Sequence, residues 1–518
     1  MKKFTKLIAL MLVLCMFASL ALACNKVEEP TEAPTGEQTE DSATNKPTSK
    51  PTSKPTSKPI PDDFEVTNFY ELLDYNGNDF DEDMIDIGQG SYMYVVKDTN
   101  KEEYEQFKEQ LYDAGCYPYT TYEDGDHQFA TFITNYQIIH TMLLHYDYDE
   151  NDTVNYSSKS AKDHYEVRVM EDDRSIFGLA GLEEENIYEE EYDGLFMMLS
   201  DDADYWPGRL GYLYQLADGS FFIIDGGYTS KGGYGNSSTP YIMGVLEKYA
   251  DDPNNITIAA WLITHTHSDH LGGFVDMASD AEITKRIKIE KVIYNTPSKF
   301  MLAKQDIGSN GTSNMPMWSD TLHSAINSWN PDAVIKAHPG QVFHLRNLKL
   351  TIYQSQSLVL GTPFTTEPSL LYQSLSVHND TSIVSMVEFM GKKALYMGDS
   401  HSWANTYAVA PVYKTALQAD ILQVAHHGYG DTNAGVVYQY VSPSIVFWPV
   451  CKQHYDGLNY DGSTYYENGS AYHGVNAIGF NVEHLFKDGI THYYHGGDCI
   501  TFSDFETWEG VRWDAVPQ

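Results

Sequence analysis

Short apolar runs that stop at polar or glycine residues dominate the second half of the chain. Phe196–Leu199, Gly211–Leu216 and Phe221–Ile224 read as three strands, the last two joined by a turn through Asp218-Gly219-Ser220. Tyr241–Ala250 puts Ile242, Val245, Leu246 and Tyr249 on one helical face. Ala259–Ile263, Lys291–Asn295, Leu348–Tyr353, Thr381–Phe389 and Lys393–Met397 read as further strands. Strands alternating with helical patterns predict α/β architecture over residues 194–518, with chemistry carried on the loops that leave the strands. Upstream, Tyr92–Val96 reads as a strand, and Asn100-Lys101-Glu102-Glu103 opens a helix with Tyr104, Phe107, Leu111 and Tyr112 on one face. Phe129–Thr134 and Ile138–Tyr146 are β-rich. Residues 64–190 are therefore expected to form a small α+β domain, one helix on a short antiparallel sheet.

The N-terminus follows a different pattern. Lys2, Lys3 and Lys6 precede an apolar run to Ala23, a secretory signal over residues 1–23. Cys24 follows Ala21-Leu22-Ala23 and suits a lipid anchor at the outer face of a cell membrane. Residues 24–62 are rich in Pro, Thr, Ser, Glu and Lys, and Pro47-Thr48-Ser49-Lys50 recurs twice in succession. Such a segment lacks the apolar surface needed to fold and reads as a disordered tether.

Composition narrows the partners. The 518 residues carry a formal net charge of −40, which opposes long nucleic acids and anionic membrane surfaces as ligands. Beyond Cys15 and Cys24 only Cys116, Cys451 and Cys499 remain, too few for a disulfide scaffold, although Cys451 and Cys499 could pair.

The strand Ala259–Ile263 runs into Thr264-His265-Thr266-His267-Ser268-Asp269-His270, followed by Leu271-Gly272-Gly273. Four imidazole or carboxylate groups within six positions, at the end of a buried strand, are a metal-ligand pattern. Packing needs no such cluster. His265 and His267 can address one ion; Asp269 and His270 can address a second.

This stretch resembles the signature of the metallo-β-lactamase superfamily. Further pieces follow in that family's order: Asp225 before Gly226-Gly227, Asp399 after Ala394–Gly398, the His426-His427-Gly428 motif after Asp420–Ala425, and the strand-like Val441–Val446. The resemblance covers the whole second unit and implies an αββα sandwich. Its closest branch resembles the hydrolase domain of DNA-uptake channel proteins and a secreted phosphorylcholine esterase, through the doubled histidine and Asn379-Asp380-Thr381-Ser382. By that resemblance, His265, His267, Asp269, His270, Asp399 and His427 ligate two divalent ions, Zn2+ or Mn2+. Asp399 bridges them, Asp269 orients the attacking hydroxide, and His426 touches substrate phosphate or acts as an acid. Asp225 and Asn379 support the ligands from behind. Where many members carry a further histidine ligand, this chain has Asn379 and Ser382, with His378 adjacent.

The expected activity is hydrolysis of a phosphodiester in a small-molecule or cell-surface substrate by a metal-held hydroxide. A lactone or lactam hydrolase, a nuclease and a non-catalytic surface binding module are the alternatives. His127, His140 and His145 read as sheet-face residues. His323, His338, His344, His454, His473, His484, His492 and His495 read mostly as loop or surface residues. The tyrosines from Tyr455 to Tyr472 could wall a pocket for a cationic headgroup, with aromatic packing the plainer reading.

Overall fold

The computed structural model describes residues 74–79, 84–147, 164–180, 195–198, 210–229, 237–298, 301–302, 315–360, 377–428, 432–450, 465–467, 470–472, 484–485, 487–494 and 499–501. These fall in one compact unit, Pro47–Gln518. The signal, Cys24, the whole 24–62 tether and the Cys451–Tyr460 stretch lie outside the described residues, and no side chain of the Tyr455–Tyr472 wall or of Cys499 is described.

Two sheets face each other. The first is eight-stranded and runs Val334–Lys336, Val292–Tyr294, Ile256–Leu262, Phe221–Ile224, Tyr212–Gln215, Leu195–Met198, Cys499–Thr501, with Ile287–Ile289 also paired to Ile256–Leu262. The second is seven-stranded and runs Val342–Leu345, Leu348–Gln354, Val384–Phe389, Lys392–Tyr396, Ile421–Gln423, Ile445–Trp448, Thr491–Tyr494. The inner strands that carry the site are parallel: Phe221–Ile224 with Ile256–Leu262, and Lys392–Tyr396 with Ile421–Gln423. Parallel strands buried on both faces explain the unbroken apolar runs read from the sequence.

Alternate residues of these strands go to opposite layers. Tyr212, Tyr214, Phe222, Ile224, Ala260 and Leu262 meet Leu350, Ile352, Val387 and Tyr396 between the sheets. Leu213, Ile223, Ile258 and Trp261 face outward onto helices Thr239–Tyr249, Ser268–Ala278 and Met315–Trp329. The outer face of the second sheet takes helices around residues 402–413 and 435–441. The result is the α/β, metallo-β-lactamase-like αββα sandwich expected from the sequence. Each fully buried large apolar side chain contributes about 1.5–3 kcal/mol.

A third sheet precedes this sandwich. It is six-stranded and antiparallel, in the order Ile85–Asp86, Tyr92–Thr99, His164–Asp173, Gln137–Tyr146, His127–Ile133, Tyr117–Asp124. Helix Lys101–Asp113, capped by the Asn100 side chain on the Glu103 N–H, covers one face with Tyr104, Phe107 and Leu111. The sheet is larger than the short one expected. Tyr117–Asp124 is largely polar, and His164–Asp173 alternates Tyr165, Val167 and Val169 with Glu166 and Arg168, a pattern the charged residues masked. Its other face is not solvated: Met93, Val95, Phe129, Met142, Leu144 and Met170 join the core of the hydrolase-like half beside Leu358, Val359, Val409 and Ala410.

That contact also buries polar groups. His127 Nε2 lies 2.6 Å from the Val412 carbonyl, and His140 Nε2 lies 2.8 Å from that of Pro339. His338, expected among loop and surface histidines, is fully buried between Asp172 Oδ2 at 2.8 Å and Ser357 Oγ at 2.7 Å. Lys336 Nζ donates to the carbonyls of Ile87 and Gly88 at 2.9 and 2.7 Å. A side chain at Gly88 would place Cβ 2.7 Å from the Thr296 carbonyl oxygen, so the glycine permits this close approach.

Candidate metal centre

The site grows from the C-terminal ends of the inner strands. Strand Ile256–Leu262 delivers Thr264 and His265, and helix Ser268–Ala278 begins immediately after His267 with Asp269 in its first turn. A carboxylate is favoured there by the helix dipole. The glycine pair that follows has a steric reason. A Cβ at Gly272 would lie 2.1 Å from the Thr229 nitrogen, and one at Gly273 would lie 2.3 Å from the Gly226 oxygen. The helix therefore seats directly on the loop after Asp225, and Gly226 N donates to His270 O at 2.5 Å.

All nine residues singled out from the sequence gather here. Ligand-type atoms of His265, His267 and Asp399 lie within 4.8 Å of one another, and so do those of Asp269, His270 and His427. Asp399 Oδ2 is the hub. Nε2 of His265, His270, His427 and His426 stands 3.6, 3.2, 3.7 and 4.0 Å from it. His427 Nε2 is 3.5 Å from Asp269 Oδ2. The doubled histidine is thus split: His427 is buried within the second trio, and His426 stands beside it, partly exposed, with its Nε2 3.4 Å from Asn379 Nδ2. Left-handed backbone at both residues (φ of 45° and 55°) turns successive side chains toward one place.

The ring orientations are fixed from behind. His270 Nδ1 lies 2.8 Å from Asp225 Oδ2, so Nδ1–H donates to the carboxylate and Nε2 faces the trio. Asp225 is held in turn by the Thr264 N–H and hydroxyl at 2.8 and 2.7 Å, and itself adopts a φ of 54°. His427 Nδ1 is 2.7 Å from the Pro449 carbonyl, which orients its Nε2 the same way. The Asp399 loop is shaped by Gln423, whose Oε1 accepts from the N–H groups of Met397 and Gly398 at 2.8 Å each.

Electrostatics match a ligand set. Burial and neighbouring imidazoles hold His265 well below the usual histidine range, and burial takes His267 down to about 4, so both rings are neutral at pH 7. Burial acts against charging of His270, but Asp399 and Asp225 outweigh it and raise the ring well above its ordinary range. Asp399 is driven well below the carboxylate range, burial notwithstanding, by His270 and His427. Nε2 of His265 and of His270 and Oδ1 of Asp399 are buried and accept or donate no hydrogen bond. Buried polar atoms are normally satisfied, and such atoms in both ligand trios fit bound cations.

Residues 206–432 match the family model described as the metallo-beta-lactamase superfamily. This segment is a metallo-β-lactamase superfamily domain. No curated protein matches the chain. Solved structures that it resembles include YhfI of Bacillus subtilis, a metallo-beta-lactamase fold protein (11% identity, 59% of this chain and 99% of that one, TM-score 0.32). They also include CmlA of Streptomyces venezuelae, a diiron beta-hydroxylase (14% identity, 60% and 54%, TM-score 0.29). A third is MEM-A1, a subclass B3 metallo-beta-lactamase from a soil metagenome library (16% identity, 47% and 81%, TM-score 0.25). The chain spans about half the length of CmlA.

Within the matched segment, three supporting residues were not singled out from the sequence, Thr264, Gln423 and Asn405, and His378 was noted only as a neighbour of Asn379. Thr264 sits inside the recognised motif, so its neighbours were the available signal. Asn405 Nδ2 donates to the Ser400 and Thr432 carbonyls at 3.0 and 2.9 Å, tying the Asp399 loop to the segment beyond His427 from a π-helical turn. His378 stacks over His267 with ring centroids 5.0 Å apart, and its Nδ1 is 3.0 Å from Thr266 Oγ1.

Proposed function

We propose that this protein is a metal-dependent hydrolase of a phosphodiester, with two divalent ions as cofactors. The supporting observation is the convergence of four imidazole Nε2 atoms, 3.2 to 4.0 Å away, on Asp399 Oδ2. His265, His267 and Asp399 would hold one ion, and Asp269, His270 and His427 the other; zinc suits this nitrogen and oxygen set and manganese is the second choice. Two such ions, when bound, lower the pKa of a water toward neutrality and neutralise charge developing on the attacked group.

The chain's own residues supply orientation. Asp225 and the Pro449 carbonyl keep the ring protons of His270 and His427 on Nδ1, which leaves each Nε2 lone pair free to ligate. Asp269, in the first turn of its helix, orients the nucleophile. Asn379 Nδ2 donates to His426 Nε2 at the partly exposed side of the centre, and the amide and ring together suit the two non-bridging oxygens of a diester better than the single carbonyl oxygen of a lactone or lactam. The charge of −40 favours a small or cell-surface substrate over a nucleic acid. We place the enzyme at the outer face of the cell membrane, tethered through Cys24.

Turnover of bis-p-nitrophenyl phosphate by zinc- or manganese-loaded protein tests the reading. Asp399→Asn is expected to lower it by about 10³-fold, as for loss of a principal electrostatic group. Absence of metal-dependent turnover in the unaltered protein sinks the hydrolase reading. Bound metal below one equivalent in folded protein favours the binding module instead.

A further inference from the structure

The sheet of residues 85–173 buries one strongly charged side chain against the metallo-β-lactamase domain. Arg168, fully buried in strand His164–Asp173, points Nη1 at the carbonyl oxygens of Ser357, Leu358 and Leu360 at 2.5, 2.6 and 2.6 Å. Its Nε contacts Glu166 Oε1 at 2.6 Å and its Nη2 the Tyr146 hydroxyl at 2.8 Å. The three carbonyls close the short helix Gln356–Val359, whose last turn has no helical N–H donor of its own to satisfy them. The same turn is held by His338 through Ser357 Oγ and by Gln356, whose Nε2 donates to the Ile87 carbonyl at 2.6 Å.

This turn continues into the site. Two residues before it, Gln354 Nε2 donates to the carbonyls of Asp380 and Ser382 at 3.1 and 2.9 Å. Those residues belong to the loop that presents Asn379 to His426, and Ser382 Oγ accepts from the Asp399 N–H at 3.3 Å. The main metal-ligand positions, by contrast, are set by strand ends and by Asp225, Gln423 and Asn405, none of which touches the preceding sheet.

We propose that Arg168 is a positioning residue: through the 354–360 turn it sets the Asn379–Ser382 loop against His426, so the N-terminal sheet is a working part of the hydrolase site. The proposal rests on the phosphodiesterase reading for its kinetic arm. Arg168 does not touch substrate. It acts on the donors around the diester and, through Ser382 Oγ on the Asp399 N–H, braces the Asp399 loop without supplying a ligand atom.

The test uses the full zinc-loaded chain with bis-p-nitrophenyl phosphate. Arg168→Met is expected to lower kcat/KM roughly 10-fold, in the range of supporting residues at metal sites, with bound metal unchanged. Arg168→Lys restores part of the loss, since an ammonium donates to carbonyls but lacks the guanidinium fork. Gln354→Met, which leaves no buried charge unpaired, gives the same direction should Arg168→Met fold poorly. In an Asn379→Ala background the Arg168→Met and Gln354→Met losses disappear, because the route is already cut. The His426 side-chain NMR signals of the zinc-loaded protein shift in Arg168→Met and Gln354→Met, a readout that needs no turnover. If both variants keep wild-type kinetics and His426 signals, or if their losses add in full to that of Asn379→Ala, the proposal is wrong. If the unaltered protein turns nothing over while the His426 signals still respond, the substrate reading fails and the positioning route stands.

Discussion

Two buried clusters in this protein are built from the same residue types and do opposite things. At the contact between the N-terminal sheet and the sandwich, His140 and His338 stack with ring centroids 5.4 Å apart. Every ring nitrogen there has a partner: Thr131 Oγ1 and the Pro339 carbonyl for His140, Ser357 Oγ and Asp172 Oδ2 for His338. At the metal centre, His265 and His270 pack with ring centroids 4.0 Å apart, yet Nε2 of each has no hydrogen bond. Imidazole and carboxylate buried together are therefore no sign of function in themselves. What separates a staple from a ligand set is whether the ring nitrogens are already satisfied.

The strongest way to break that contrast is to open the staple. Asp172→Ala leaves His338 without its carboxylate and removes one side of a buried pair. An uncompensated buried partner of this kind costs about 3–5 kcal/mol. Chemical denaturation of the zinc-loaded protein is expected to show that loss, while metal stoichiometry in the folded fraction stays as in the unaltered chain. Loss of metal at unchanged stability would mean that the two clusters are one.

The converse substitution sits behind the ligands. Asp225→Asn keeps the shape but no longer holds the Nδ1 proton of His270 with a charge. A fall of about 10- to 100-fold in metal affinity is expected, measured by competition with a chromophoric chelator. The metal-free chain keeps part of this support, because the Thr264 N–H and hydroxyl donate to different carboxylate oxygens and the amide retains one of the two. An affinity unchanged by Asp225→Asn would remove Asp225 from the site.

The same contrast explains what could be read from the sequence. His265 to His270 were legible because a buried strand ending in four ligand-type residues has no competing packing explanation, and the Gly272-Gly273 pair marked a close approach. Asp225, Asp399 and the 426–428 motif were legible only through the order of pieces in a known family. Strand His164–Asp173 escaped because Glu166, Arg168 and Asp172 read as solvent-facing, whereas the structure buries all three. Hydrophobic periodicity cannot see a buried polar face whose partners lie about two hundred positions away, as Ser357 does from Arg168. His338 was missed for the same reason. The split between His426 and His427 depends on two left-handed residues in succession, which side-chain identity does not announce.

The smallest expected effect separates the clusters by pH. Burial and the adjacent Asp172 push the Glu171 carboxyl, next to Asp172 on the opposite, helix-covered face of the same strand, up to about 8. Its folded value lies above its unfolded one, so the native state holds a proton that the unfolded chain has already released. Stability from this group is present at low pH and declines as pH rises between about 4.5 and 8. His270 in the metal-free protein has the same sign: raised by Asp399 and Asp225, it contributes stability below the ordinary histidine range that is lost as pH climbs through its folded value. Metal distinguishes the two. A ligating Nε2 cannot keep its proton, so zinc binding near neutral pH releases protons and removes the His270 contribution to the slope. The Glu171 contribution persists with zinc bound and vanishes in Glu171→Gln. Melting temperatures across pH 5 to 8, with and without zinc, should therefore show a slope that zinc reduces and Glu171→Gln reduces further. If zinc alone abolished the whole slope, the Glu171 carboxyl would not be protonated in the folded protein, and all the titration would belong to the metal centre.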